Sequence, residues 1–212
     1  MVLTKPLSRM SLSRQIRDRL LDRIMEGILK PGDRLIELKI ANEMATSQAP
    51  VREALRELET MGVLESHRNK GARVRVITNE ELRQIYDVRA QIEAYACQVV
   101  TERVIDIQAA LRAAIVQMKN AAQNKDSPGF AEHNMEFHRI IIKATRNDVL
   151  LDLWESLNVR MRTMVNVSRS RKNLLELSRS HVSMVEAIVS GNAQIAFETA
   201  RDHVLKNKPG ED

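Results

Sequence analysis

The stretch PGDRLIELKIANEMATSQAPVREALRELETMGVLESHRNKGARVRV, from Pro31 to Val76, decides how this chain folds. A Pro-Gly turn leads into an amphipathic segment, Glu37 to Met44, a short break at Ala45-Thr46, and a second amphipathic segment opened by Ser47. Ser47 is a good acceptor for an orphan N–H of the first helical turn, and Pro50 falls where a missing donor costs little. Val51, Ala54, Leu55 and Leu58 recur at the period of a buried face, which turns Gln48, Ala49, Arg52, Glu53 and Arg56 outward. Gly62 stops the helix. Two β-compatible runs follow, Val63 to Ser66 and Ala72 to Ile77, around the basic loop His67-Arg68-Asn69-Lys70-Gly71. Two short helices joined by a tight turn and followed by a basic hairpin predict a winged helix-turn-helix, in which the second helix enters the major groove of DNA with its N-terminal residues nearest the bases.

Working outward, charge agrees with that reading. The net charge is +5, and residues 1–76 carry all of it, with 15 Lys+Arg against 10 Asp+Glu, whereas residues 77–212 hold 18 of each. A basic module suits phosphate neutralisation and predicts salt-sensitive binding. Upstream, residues 1–10 show no periodicity and read as a flexible tail. Ser11 or Ser13 then caps a helix carrying Ile16, Leu20 and Ile24 and ending at Gly27. Cys97 is the single cysteine of 212 residues, so no disulfide forms within the chain and a reducing, cytoplasmic setting is expected. Neither a membrane span nor a signal peptide is legible.

Beyond residue 77 the chain loses its basic excess and becomes a series of long helical patterns. We expect domains at 11–77 and 78–212, the second an all-α antiparallel bundle of six helices, and the whole protein mainly α. The helices are read at Asn79 to Arg103, Asp106 to Ala122, Phe130 to Thr145, one starting at Asn147 and running past Val165, one ending at Gly191, and one capped by Asn192. Asn134 and His138, four apart, share a helical face, and His181 and His203 stand on later helices. Imidazoles converging in a bundle core are ligands for zinc, nickel or another divalent ion; spacing alone leaves structural or surface histidines as the alternative. Arg89 is either a carboxylate anchor or an i,i+4 partner of Glu93. His133 falls out of phase and is expected outside.

The Pro31–Leu35 turn, the Pro50-Val51-Arg52-Glu53-Ala54-Leu55 run and Gly71 resemble the GntR-type DNA-binding domain. Residues 79–206 resemble the FCD effector domain of the FadR subfamily, on Arg89 with Glu93, the segment Asn134 to His138 followed by Asn147, and the Gly191 region between His181 and His203. The resemblance implies a regulator, expected to repress, that binds a duplex operator as a homodimer through Ser47, Gln48, Ala49, Arg52, Arg56, Lys70 and Gly71. It implies a divalent metal, zinc or nickel, held by Asn134, His138, His181 and His203, and a small organic acid effector meeting Arg89. Three departures stand out. Gln48 replaces the usual arginine, Leu38 replaces a polar residue that some relatives use on the preceding helix, and Asn134 replaces the usual aspartate, which removes a negative charge from the metal set. The chain is expected not to be an enzyme, since neither His-Glu-x-x-His nor a placed general base is found; a metal-dependent hydrolase with a DNA-binding appendage, or a regulator with a purely structural metal, are the rival expectations.

Overall fold

Ser11 starts the first helix, α1 (Leu12–Met25), by accepting the backbone N–H of Arg14 at 3.3 Å, and Gly27, at φ +73°, ends it. It buries Ile16, Leu20 and Leu21 and packs against α3 (Gln48–Thr60), as does α2 (Glu37–Glu43); an Arg17–Glu57 ion pair at 2.8 Å fastens α1 to α3, and an Arg23–Glu43 pair at 3.1 Å ties α1 to α2. Ala45, in the left-handed region at φ +50°, makes the tight turn between α2 and α3. Val51, Ala54, Leu55 and Leu58 are buried, the face that periodicity assigns. Ser47 precedes α3 as its cap residue, but its side chain makes no capping hydrogen bond, contrary to expectation.

The wing strands are β2 (Leu64–His67) and β3 (Gly71–Val74), antiparallel with Leu64 opposite Val74 and His67 opposite Gly71. A third strand, β1 (Arg34–Leu35), joins β3 on its other side, giving the order β1-β3-β2. Two residues carry no period of their own; β1 exists because Arg73 and Ala72 lie opposite it.

This computed structural model describes residues 11–67, 71–169 and 173–210, which fall into two compact units, Met1–Val76 and Ile77–Asp212. The division lies one residue before the expected boundary, so Ile77 belongs to the second unit. The expected tail at residues 1–10 and the wing-tip residue Lys70 lie outside the described residues.

The second unit is helical throughout: α4 (Asn79–Glu102), α5 (Gln108–Gln123), α6 (Ser127–Ala144), α7 (Asp148–Ser156), α8 (Val159–Arg169), α9 (Leu174–Ser180), α10 (Val182–Val189) and α11 (Ala193–Lys206). Six helices were expected and eight are found among the described residues. The helix expected from Asn147 past Val165 breaks at Asn158, whose φ of +49° leaves the right-handed helical region, and the following one is divided at His181. Thr78, rather than Asn79, caps α4 by accepting the N–H of Glu81. Asn147 and Asn192 cap α7 and α11 through their side-chain oxygens. The long α4 is the spine, packed against α6, α7, α10 and α11. No described helix is long and apolar enough to cross a membrane.

Candidate metal centre and DNA-binding face

On the winged unit, Ser47, Gln48, Ala49, Arg52 and Arg56 are exposed along α3, and Gly71 is exposed at the root of the wing. Arg52 is not paired within its own helix. Its Nε and Nη2 donate to the Glu37 carboxylate at 2.8–3.2 Å, across the turn from α3 to α2, and this hydrogen bonding raises the guanidinium pKa further. Arg34, Arg52 and Arg56 line one cleft of about 410 Å³ together with Glu37, Glu59, Ser66 and Gly71. Sequence reasoning missed Arg34 and Glu37 as members of this face. Neither has a periodic link to α3, and only the packing of β1 and α2 beside it brings them there.

In the helical unit α6 presents Asn134 and His138 to the interior, both buried. His181, at the α9–α10 junction, and His203, on α11, are buried beside His138. One ring nitrogen from each of the three histidines lies within 4.8 Å of the others. His133 is outside this set, as its phase on α6 predicts, but half-buried where an exposed position was expected. Nδ1 of His181 lies 2.9 Å from the Leu177 carbonyl, which fixes it as the donor and leaves Nε2 buried with no hydrogen-bond partner. Burial foremost, then the neighbouring imidazoles, pushes His181 well below its ordinary pKa; the same causes, burial and then His138, bring His203 down to about 3. Neutral imidazole is the form that binds a metal, so these groups fit a divalent ion.

Behind the histidines lies a buried carboxylate. Nδ1 of His138 is 2.8 Å from Oε2 of Glu93. The contact has ion-pair distance but not the direction of a hydrogen bond, and neither atom has another hydrogen-bond partner. Oε1 of Glu93 accepts from Nε of Arg89 and from Nε1 of Trp154, each at 2.8 Å. Burial alone would raise the Glu93 pKa, but Arg89 and then His138 outweigh it and hold the carboxyl well below the usual range. Arg89 thus occupies the pair with Glu93 that the sequence left as one alternative. It also reaches Thr163 Oγ1 at 3.3 Å and lies 4.8 Å from the ring centre of Tyr86. A carboxylate set against the far side of a ligating imidazole is the usual outer support of a metal site. Glu93 was named only as Arg89's partner in the sequence; its link to His138 spans 45 positions and left no local signal.

Comparison with known proteins follows the same division. Residues 12–74 match the bacterial regulatory proteins of the gntR family, and residues 84–206 match the FCD domain. The chain is 31% identical over 206 residues to a protein of Paenarthrobacter nicotinovorans named "Probable D-xylose utilization operon transcriptional repressor", covering 97% of this chain and 91% of the relative. It is 30% identical over 165 residues to the gluconate operon transcriptional repressor of Bacillus licheniformis, covering 77% of this chain and 68% of that one. The E. coli protein McbR/YncC shares the fold, with a TM-score of 0.73 at 23% identity over 94% of this chain and 96% of its own. These relatives are regulators rather than hydrolases, and the chain belongs to the GntR family, in its FCD-bearing FadR subfamily, as a DNA-binding transcriptional regulator.

Proposed function

We propose that this regulator is a repressor that binds its operator as a homodimer and releases or tightens it in response to a small carboxylic acid held at a divalent metal. The observation that carries the proposal is the buried trio His138, His181 and His203, whose ring nitrogens lie within 4.8 Å of one another. His181 Nε2 has no partner there. A buried polar atom without a partner is costly, and a bound ion removes that cost. Zinc or nickel suits three imidazoles, and Asn134, one turn before His138 on the same buried face of α6, is the fourth candidate ligand. Such an ion keeps its positive charge on neutral ligands and supplies an attachment point for a carboxylate. Arg89 is the second anchor for the acid, its charge already shared with Glu93. Relatives named for the D-xylose and gluconate operons support a sugar-derived acid as the class to try first.

On the winged unit, Gln48 and Arg52 are the base-reading residues, with Ser47, Ala49, Arg56 and Gly71 exposed on the same unit. Arg suits guanine and Gln suits adenine, each good pair being worth about 1–3 kcal/mol of discrimination.

The second copy is expected on α4. Gln84, Val88, Gln91, Tyr95, Gln98 and Glu102 repeat at alternating spacings of four and three and so share one stripe of α4, with Val88 and Tyr95 as its apolar members. Val88 and Tyr95 are each 46% exposed. The bonds Arg103–Thr145 and Trp154–Glu93 set α7 antiparallel beside the C-terminal half of α4, and α7 carries the exposed Val149 and Leu153. In an antiparallel pairing Glu102 meets Gln84 of the second copy; in a parallel one it would meet another Glu102.

The test is a gel-shift titration on a duplex selected from a random pool, using protein of known metal content with and without a panel of sugar acids and other organic acids. An acid-dependent change in the midpoint that disappears after chelation supports the proposal. A midpoint indifferent to both metal and acids would leave a DNA-binding protein with a structural metal at most.

A further inference from the structure

An acidic side chain sits in the middle of the face we assign to DNA. Glu37 belongs to the cleft formed by Arg34, Arg52 and Arg56, where a carboxylate repels phosphate and weakens binding to any duplex. Its contact with Arg52 is specific in form: Nε lies 3.2 and 3.1 Å from the two carboxylate oxygens, and Nη2 lies 2.8 Å from Oε2. A guanidinium carries five N–H donors. Glu37 takes those along the Nε edge, which leaves the outer pair, one on each Nη, pointing away from it. That pair is the fork which fits O6 and N7 of guanine. Arg52 itself remains 53% exposed on its side chain, so the pairing orients it without covering it.

The other two arginines differ. Arg34 and Arg56 are exposed, and their side chains make no ion pair or hydrogen bond among the described residues. Nε of Arg34 lies 3.6 Å from the position a Cβ on Gly71 would take, so this side chain lies against the root of the wing. The remaining acid of the cleft, Glu59, is engaged by the Ser66 hydroxyl at 2.7 Å. Two cations with unpaired side chains and one paired cation in the same cleft divide the face by task.

We infer that Glu37 is a positioning residue for operator recognition: it presets the plane of Arg52 for base reading and lowers affinity for duplex of any sequence, while Arg34 and Arg56 carry the contacts to phosphate. This rests on the reading that the Gln48–Arg52 face docks on DNA. Selectivity is a difference between affinities, and Glu37 raises it from both sides.

The experiment measures affinity for the selected duplex and for a scrambled duplex of equal length, across a salt series, together with thermal melting. For Glu37→Gln the selected-to-scrambled ratio falls about tenfold, scrambled binding tightens, and its salt slope steepens by about one. Melting changes little, because the ion pair is exposed. Glu37→Asp keeps the charge on a shorter arm, and its ratio falls without any tightening on scrambled DNA. Arg34→Gln weakens both duplexes alike and lowers the salt slope by about one. An unchanged ratio in Glu37→Gln, or equal losses on both duplexes alongside a lowered melting temperature, overturns the role of Glu37. An unchanged salt slope in Arg34→Gln overturns the phosphate assignment. Arg52→Ala is the control: if it alters neither duplex, the docking reading itself fails, independently of Glu37.

Discussion

Glu93 on α4 and His138 on α6 meet with Oε2 and Nδ1 2.8 Å apart, both side chains buried. The same carboxylate holds Arg89 and Trp154, so one charge joins the histidine cluster to α4 and α7. Replacing it with Glu93→Gln is expected to weaken metal binding about 10- to 100-fold by removing the support behind His138. It also strands the Arg89 charge in the interior, which costs about 3–5 kcal/mol of stability. Metal titration against a competing chelator and urea unfolding of the metal-free protein measure the two losses separately. Unchanged metal affinity would reduce Glu93 to a partner of Arg89.

His181 and His203 supply the next prediction. His203→Ala is expected to abolish the rise in melting temperature that zinc or nickel gives the wild type, because two histidines remain where three converge. His181→Ala should do the same and remove a buried nitrogen with no partner. Elemental analysis of dialysed protein checks stoichiometry. A full equivalent of metal in either variant would mean that the ion sits elsewhere.

Acid should destabilise the metal-free protein. His203, held down to about 3, and His181, also well below 6.5, stay neutral in the fold where the unfolded chain protonates. Below pH 6.5 the unfolded state therefore binds more protons, and stability falls by up to about 1.4 kcal/mol per pH unit for each histidine. Above that value their effect is constant. Glu93, also depressed, contributes change only below its unfolded value of 4.5, so urea unfolding between pH 5 and 7.5 isolates the histidines. A flat profile in that window contradicts the burial assigned to them.

Ser47 separates two roles that sequence alone merges. It is exposed and makes no capping bond from its side chain, so Ser47→Ala should change stability by no more than about 0.5 kcal/mol. If Ser47 touches DNA, the same variant weakens operator binding. A drop in melting temperature of many degrees, with DNA affinity intact, would make it a cap after all.

Tyr95→Glu on the α4 stripe should yield monomers in sedimentation analysis while leaving the helical content and the zinc response of each chain in place. Val88→Glu should act alike. Operator affinity falls with the loss of paired half-sites. Dimers that persist in both variants would place the second copy on another face.

Much of this molecule was legible in its residues. The period of Val51, Ala54, Leu55 and Leu58 determined which side of α3 is buried and, with it, that Gln48 and Arg52 are exposed, because a helix of that register has a single apolar stripe. The histidines were visible as candidates through the shared face of Asn134 and His138 and their place on separate helices. Short-range signals were also the ones that failed where long-range contacts decide. Asn158 and His181 interrupt helices whose hydrophobic pattern continues through them, and β1 is a strand only by pairing with β3. Tertiary structure alone decided which groups share a charge: Glu93 with His138, and Glu37 with Arg52. Hydrophobic periodicity is a property of one helix and is written in its own residues, whereas an ion pair between helices depends on their crossing, which no single segment encodes.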